Sequence, residues 1–115
     1  MHVDVHRRGE VIVIDLNGDL VLGDGDEILR ESINEVLGEG WRKIIVNLGR
    51  VGRIDSSGLG ELVASWKLAH RVDATMKVLR PGDKVKHTLH VAQILPLLEV
   101  FEDEHAALAS FAPTS

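Results

Sequence analysis

The chain has no cysteine, which excludes disulfides and thiol catalysis and fits a reducing compartment. Aromatic residues make up only 3% of its 115 residues, so aliphatic side chains must fill any core. No apolar run reaches the roughly 18 residues that a membrane-spanning helix needs. The start, Met1-His2-Val3-Asp4, carries no apolar signal region. Basic residues are in the minority: 13 Lys and Arg stand against 18 Asp and Glu, a formal net charge of −5. That argues against a general nucleic-acid binder, which needs a net basic face. These absences together lead us to expect a cytoplasmic protein with no membrane span.

What is present is ample apolar material, 44% of the residues, enough for one core in one domain. No linker, repeat or low-complexity tract divides the chain, so residues 1–115 read as a single domain. Val3 and Val5 alternate with His2, Asp4 and His6, the pattern of a half-exposed strand. After the turn signal Arg8-Gly9, the run from Val11 to Leu16 is almost wholly apolar and suits a strand covered on both faces. The two runs read as a hairpin. Residues 18–25 read as a loop. Asp24 and Glu27 form an acidic capping pair for a helix carrying Ile28, Leu29, Ile33, Val36 and Leu37, which Gly38 and Gly40 end.

Ile44 to Leu48 gives a third strand and Thr75 to Leu79 a fourth, stopped by Pro81-Gly82. Asp83 is placed to cap a short helix with Val85 and Leu89 inward. Leu95, Leu97, Leu98, Val100 and Phe101 make a last apolar patch, interrupted by Pro96. Asp103 is placed to cap a final helix with Ala107, Leu108 and Phe111 on one side, closed by Pro113. Strands alternate with helices from residue 11, so the class is α/β: a four- to five-stranded mixed sheet with helices packed on it. The order is strand, strand, helix, strand, helix, strand, helix, an optional short strand and a last helix. The first two strands are expected to be antiparallel, and the second, third and fourth parallel with right-handed crossovers.

The densest chemistry lies between the third strand and the following helix, in Arg53-Ile54-Asp55-Ser56-Ser57-Gly58-Leu59-Gly60-Glu61-Leu62. Leu59, Leu62, Val63 and Trp66 fall on one helical face. Ser57 or Gly58 is placed to serve as N-cap, with Ser57 the better reading. A Gly58 cap sets Glu61 at the third helical position, where a carboxylate bonds back. The helix N-terminus, with its free N–H groups and positive dipole end, then points at Asp55 and Ser56 and tolerates an added phosphate. The glycines leave room for another protein to approach. The same string also suits a bare cap and tight turn.

Catalytic and metal patterns are weak. The aspartates at 19, 24 and 26 lack the bidentate glutamate of a calcium loop. His87 and His90 sit three apart without an evident third ligand and read as surface residues. The strand–turn–helix lacks the Gly-x-Ser-x-Gly elbow, and no spacing brings His70 or His87 back to Ser56. The glycines at 23 and 25 are not followed by Gly-Lys-Ser/Thr. Trp41 and Trp66 read as partly buried packing groups. No catalytic residue, metal ligand or cofactor is assigned.

Three segments carry a family resemblance: Leu16-Asn17-Gly18-Asp19-Leu20, the strand Ile44-Ile45-Val46-Asn47-Leu48, and Ile54-Asp55-Ser56-Ser57-Gly58-Leu59-Gly60 followed by Leu62 and Lys67. With these the chain resembles the STAS-domain anti-sigma factor antagonists of bacteria over essentially its whole length. The resemblance implies a partner switch without catalysis of its own. The unmodified form binds an anti-sigma factor, itself a serine kinase of the histidine-kinase-like type, and so frees a sigma factor. The kinase phosphorylates the first serine of Asp-Ser-Ser-Gly, here Ser56, and a metal-dependent serine phosphatase reverses it.

The implied partner-binding residues are Asp55, Ser56, Ser57, Gly58, Leu59 and Gly60, with Asp19, Val21 and Asp24 from the preceding loop. Asp55 is placed to orient the Ser56 hydroxyl or to repel its phosphate. One departure stands out. Members of the family often read Gly-Glu-Leu-Asp where this chain has Gly18-Asp19-Leu20-Val21, so Val21 replaces the last acid. A second reading therefore stays open, a STAS scaffold or accessory subunit without phosphorylation, in a stress-sensing assembly or a lipid-transport complex.

Overall fold

A computed structural model describes residues 1–111. The elements are β1 (His2–Arg8), β2 (Val11–Leu20), α1 (Gly25–Gly38), β3 (Lys43–Ile54), α2 (Ser56–Arg71), β4 (Thr75–Leu79), α3 (Asp83–Val91), α4 (Leu95–Leu98), β5 (Val100–Phe101) and α5 (Glu104–Ala109). The five strands form one sheet in the order β1-β2-β3-β4-β5. β1 is antiparallel to β2, and every other neighbouring pair is parallel. Gly9, at a left-handed φ of 63°, turns the hairpin between β1 and β2.

Alternation along each strand sorts the core into two layers. Ile12, Ile14 and Leu16 of β2, Ile44, Val46 and Leu48 of β3, and Met76 and Val78 of β4 point to the front face. There they meet Leu29, Ile33 and Val36 of α1, Leu62 and Ala69 of α2, and Val85 and Leu89 of α3. Val11, Val13, Ile45 and Leu79 point to the back face, where Ala107 of α5 covers them together with Phe101, Leu108 and Phe111. The expected β2 run is thus covered on both sides, as its unbroken apolar character required.

Several boundaries differ from the sequence reading. β2 continues through the expected loop to Leu20, and β3 continues past Leu48 to Ile54, because the two extensions pair with each other in parallel. Register irregularities fall between Asp15 and Asn17 and between Gly18 and Leu20. Leu20 and Val51 on these extensions are buried. The connection to α1 therefore shrinks to Val21–Asp24. Asp24 holds the N-cap position of α1, but its side chain makes no cap bond. Its Oδ1 lies 3.1 Å from the Met1 amino nitrogen, while Asp26 Oδ1 accepts the Glu27 N–H at 2.7 Å.

Gly82, not Asp83, occupies the N-cap of α3. The apolar patch after α3 contains a one-turn helix, α4, before β5. Asp103 does cap α5, its Oδ2 accepting the Ala106 N–H at 2.9 Å. The expected closure at Pro113 lies outside the described residues.

Candidate functional site

The β3 ladder delivers the chain at Ile54, opposite Leu20 of β2. The next residue, Asp55, is extended (φ −105°, ψ −176°) and is the N-cap of α2. This corrects the expectation that Ser57 or Gly58 caps the helix. The aspartate wins because its carboxylate reaches two separate donors. Oδ1 accepts the Gly58 N–H at 2.9 Å, and Oδ2 accepts the Leu22 N–H at 3.0 Å. One side chain thus caps α2 and ties the β2–α1 connection to it. The hydrogen bonds from the Gly58 and then the Leu22 N–H hold the Asp55 carboxyl below its ordinary value of 3.8, so it is ionised at neutral pH.

Ser56 is the first residue of α2 and is exposed, whereas Ser57 is half-buried. Glu61 is consequently deeper in the helix than a capping box allows. Its Oε1 instead accepts from Arg30 Nε at 3.3 Å, joining α2 to α1. Gly58 is buried, and a Cβ built there would land on the Leu20 carbonyl. This close approach lets the start of α2 lie on the end of β2. The fully buried stripe of α2 is Gly58, Leu62, Ser65 and Ala69. Leu59, Val63 and Trp66, expected on the core face, flank that stripe half-buried. Small residues at the contact let the helix sit low on the sheet, pushing the larger side chains to its sides.

Most of the other expected partner-binding residues gather around this start. Leu59 donates its N–H to the Asp55 carbonyl at 2.9 Å. Gly60 is exposed, with open space where a Cβ would stand. Asp19 lies within 3.5 Å of Arg53 at an exposed pair. Val21 contributes its carbonyl, which accepts the Asp24 and Asp26 N–H groups at 3.2 and 3.3 Å, and no acid stands at its position. Asp24 belongs to the same connection but turns toward Met1.

Leu22 and Arg30 escaped the sequence reading, and Arg53 entered it only as the first residue of the dense stretch. Leu22, 73% exposed, stands beside the clamp made by its own N–H. Its one sequence signal is its place as the last of three apolar residues, Leu20-Val21-Leu22, between Gly18-Asp19 and Gly23-Asp24. Arg53 and Arg30 enter through their pairing with Asp19 and Glu61, which spacing alone does not reveal.

The histidines do not converge on Ser56. His70 stacks on Trp66, ring centroids 5.1 Å apart and 6° from parallel, and His87 and His90 are exposed on α3. No helix among the described residues is long and apolar enough to cross a membrane.

A single antiparallel edge strand on an otherwise parallel five-stranded sheet, with a hydroxyl displayed where β3 passes into α2, defines a class of small mixed α/β domain. The chain belongs to the STAS domain family, whose model matches residues 2–107. It is 24% identical over 110 residues to an anti-sigma F factor antagonist of Paenibacillus polymyxa, covering 96% of this chain and 93% of that protein. Among solved structures it is similar to an anti-sigma factor antagonist from Mycobacterium paratuberculosis. There the TM-score is 0.82 at 17% identity, over 95% of this chain and 92% of that one. It is also similar to the phosphorylated form of the Bacillus cell fate determinant SpoIIAA. The TM-score is 0.72 at 22% identity, over 96% of this chain and all of that one.

Proposed function

We propose that this protein is an anti-sigma factor antagonist whose docking is switched by phosphorylation of Ser56. The observation that carries the reading is the placement of that hydroxyl: exposed, on the first residue of α2, beside a carboxylate already bonded to the helix N-terminus. The matched relatives named as anti-sigma factor antagonists support the class of partner. A SpoIIAA structure in a phosphorylated form supports the kind of switch.

The physics of the switch follows from the clamp. Phosphorylation adds about −1.5 to −2 charges and three acceptor oxygens. The Gly58 and Leu22 N–H groups are already taken by Asp55, so a phosphate on Ser56 stands next to an ionised carboxylate without those donors. In the free protein, water solvates it. Inside a docked interface it must be desolvated, a penalty of several kcal/mol. Since about 1.4 kcal/mol is tenfold in affinity, one phosphate suffices to release the partner without refolding the domain.

On this reading the partner is an anti-sigma factor of the histidine-kinase-like serine kinase type. A metal-dependent phosphatase restores the docking form, and the protein itself catalyses nothing. The absence of an acid at Val21 favours a second reading, a constitutive scaffold. Incubation with ATP and each kinase-type anti-sigma factor of the source genome, with mass spectrometry of Ser56, separates the two. Phosphate on Ser56 with loss of the complex is the expected result. A complex that forms equally well with Ser56→Asp would establish the scaffold instead.

A further inference from the structure

We propose that the back face of the sheet carries a binding site for a small zwitterion, with Arg50 and Arg80 taking its carboxylate and Asp4 and Asp15 facing its ammonium. A cleft of about 340 Å³ opens there, lined by these four residues together with Asn17 and Asn47. Clefts that hold small molecules start at about 300 Å³. α2, with Ser56 at its start, packs on the front face, so this site is separate from the switch.

The strands build its floor. Asp15 is the one polar residue in the apolar run Val11 to Leu16, and Asn47 is the one in the run Ile44 to Leu48. The two are register partners, and Asp4 of β1 pairs with Asp15 on its other side. On this face α5 covers Val11, Val13 and Ile45, and the polar row follows them along β2 and β3. Asn47 Nδ2 donates to Asp15 Oδ1 at 2.7 Å, and Asn47 Oδ1 accepts the Gly49 N–H at 2.9 Å, so the row is fixed in place. Arg80, just after β4, holds a left-handed φ of 50°, which is uncommon for a residue other than glycine. Its N–H donates to the Phe101 carbonyl at 2.7 Å and its Nε to the Glu102 carbonyl at 3.2 Å. Strain of this kind persists where surrounding bonds enforce it, and it clusters at ligand sites. The two terminal guanidinium nitrogens remain available to the cleft.

Charges of both signs face this cleft without neutralising one another. The acids stand on β1 and β2, the arginines on β3 and just past β4. Among the described residues neither Arg50 nor Arg80 pairs with a carboxylate: the arginine ion pairs are those of Arg8, Arg30 and Arg53. Asp4 and Asp15 lie against His2 and His6 instead. A bare anion would be repelled by the acids, and a bare cation by the arginines. A molecule with one charge of each sign meets both sides. Guanidinium groups take a carboxylate through two parallel N–H···O bonds. An ammonium brings three donors, and each carboxylate oxygen keeps a lone pair for one of them. The lining is mostly polar, so a large apolar body gains nothing here and the ligand is compact.

Titration of the full chain, followed through the amide NMR signals of Asn47, Arg50 and Arg80, tests the site. The probes are 4-aminobutanoate and 6-aminohexanoate, with butanoate and butylamine as controls that carry one charge each. The expected result is a saturable shift with a zwitterion, the controls binding about tenfold or more weakly. Arg50→Gln and Asp4→Asn change exposed residues on different strands. Each should weaken the zwitterion about tenfold, while Ser56→Ala should leave its binding unchanged. If Arg50→Gln does not fold, Arg80→Gln, which keeps the backbone bond to Phe101, takes its place. No saturable shift with either zwitterion overturns the proposal. So does a control that binds as tightly as the zwitterions, or a set of folded variants that bind as the native protein does.

Discussion

Gly58 and Gly60 are two residues apart in α2, yet substitution at each has the opposite sign. A Cβ on Gly60 meets nothing within 4 Å, so Gly60→Ala should stabilise the fold by about 0.5–1 kcal/mol through helix propensity alone. A Cβ on Gly58 meets the Leu20 carbonyl. Because that neighbour is backbone in a strand, it cannot swing aside, and Gly58→Ala should cost about 1–3 kcal/mol despite the same propensity gain. Thermal denaturation of the two variants checks the pair. Asp55 gives a prediction in pH. Its folded carboxyl titrates below 3.8 because the Gly58 and Leu22 N–H groups bond its charged form. Its contribution is therefore present above that ordinary value and is lost as pH falls through the lower folded one. Asp55→Asn should melt below the native protein at neutral pH, and the gap should close on acidification. A constant gap would show that charge at Asp55 is immaterial.

At the scale of elements, the sequence was most legible where a periodic apolar run ended at a strong stop signal. α1, the core of β2 and β3, β4 and α3 follow from period and punctuation. The ends of β2 and β3 did not, because residues 18–25 read as loop and the apolar run of the third strand stops at Leu48, before Gly49 and Gly52. The pairing of the two extensions with each other satisfies backbone groups there. The cap of α2 was misassigned for a related reason. Asp55, Ser56, Ser57 and Gly58 are all good cap residues, and the choice falls to Asp55 through a bond to Leu22, thirty-three positions away. The place of Ser56 at the start of α2 was legible from local chemistry, but the bond from Leu22 and the pairing of Arg53 with Asp19 were not.

α5 shows how far such distant bonds carry a short element. It is six residues long and has one fully buried side chain, Ala107. Lys77, 5% exposed, anchors its end by donating to Ser110 Oγ at 2.7 Å and to the Ser110 carbonyl at 3.2 Å, beneath the Phe111 ring. Lys77→Ala removes those donors and should cost about 1–3 kcal/mol. Hydrogen exchange should then rise in α5 before it rises in α1 or α2. Uniform exchange across the helices would show that α5 does not depend on this anchor.

Across the whole molecule, stability and the proposed switch rest on different parts. The front-face core lies between the sheet and helices α1 to α4, with Leu29, Ile44, Val46, Leu62, Val78 and Leu89 all excluded from solvent. Leu62→Ala, inside it, should cost about 2–5 kcal/mol and weaken every property of the protein together. Ser56 is not part of that core. It is exposed on the first turn of α2, where an added acid gains from the helix dipole by about 0.3–1 kcal/mol and loses to the neighbouring Asp55 carboxylate. The two effects oppose each other in water. Ser56→Asp should therefore leave the melting free energy within about 0.5 kcal/mol of the native value. The same charge, enclosed at a protein interface, has no water to offset it and should lower affinity for the anti-sigma factor by tenfold or more. Calorimetric unfolding and titration on the same preparations separate the two quantities. A variant that loses binding only in proportion to lost stability would place the switch in the fold itself, not at the docking face.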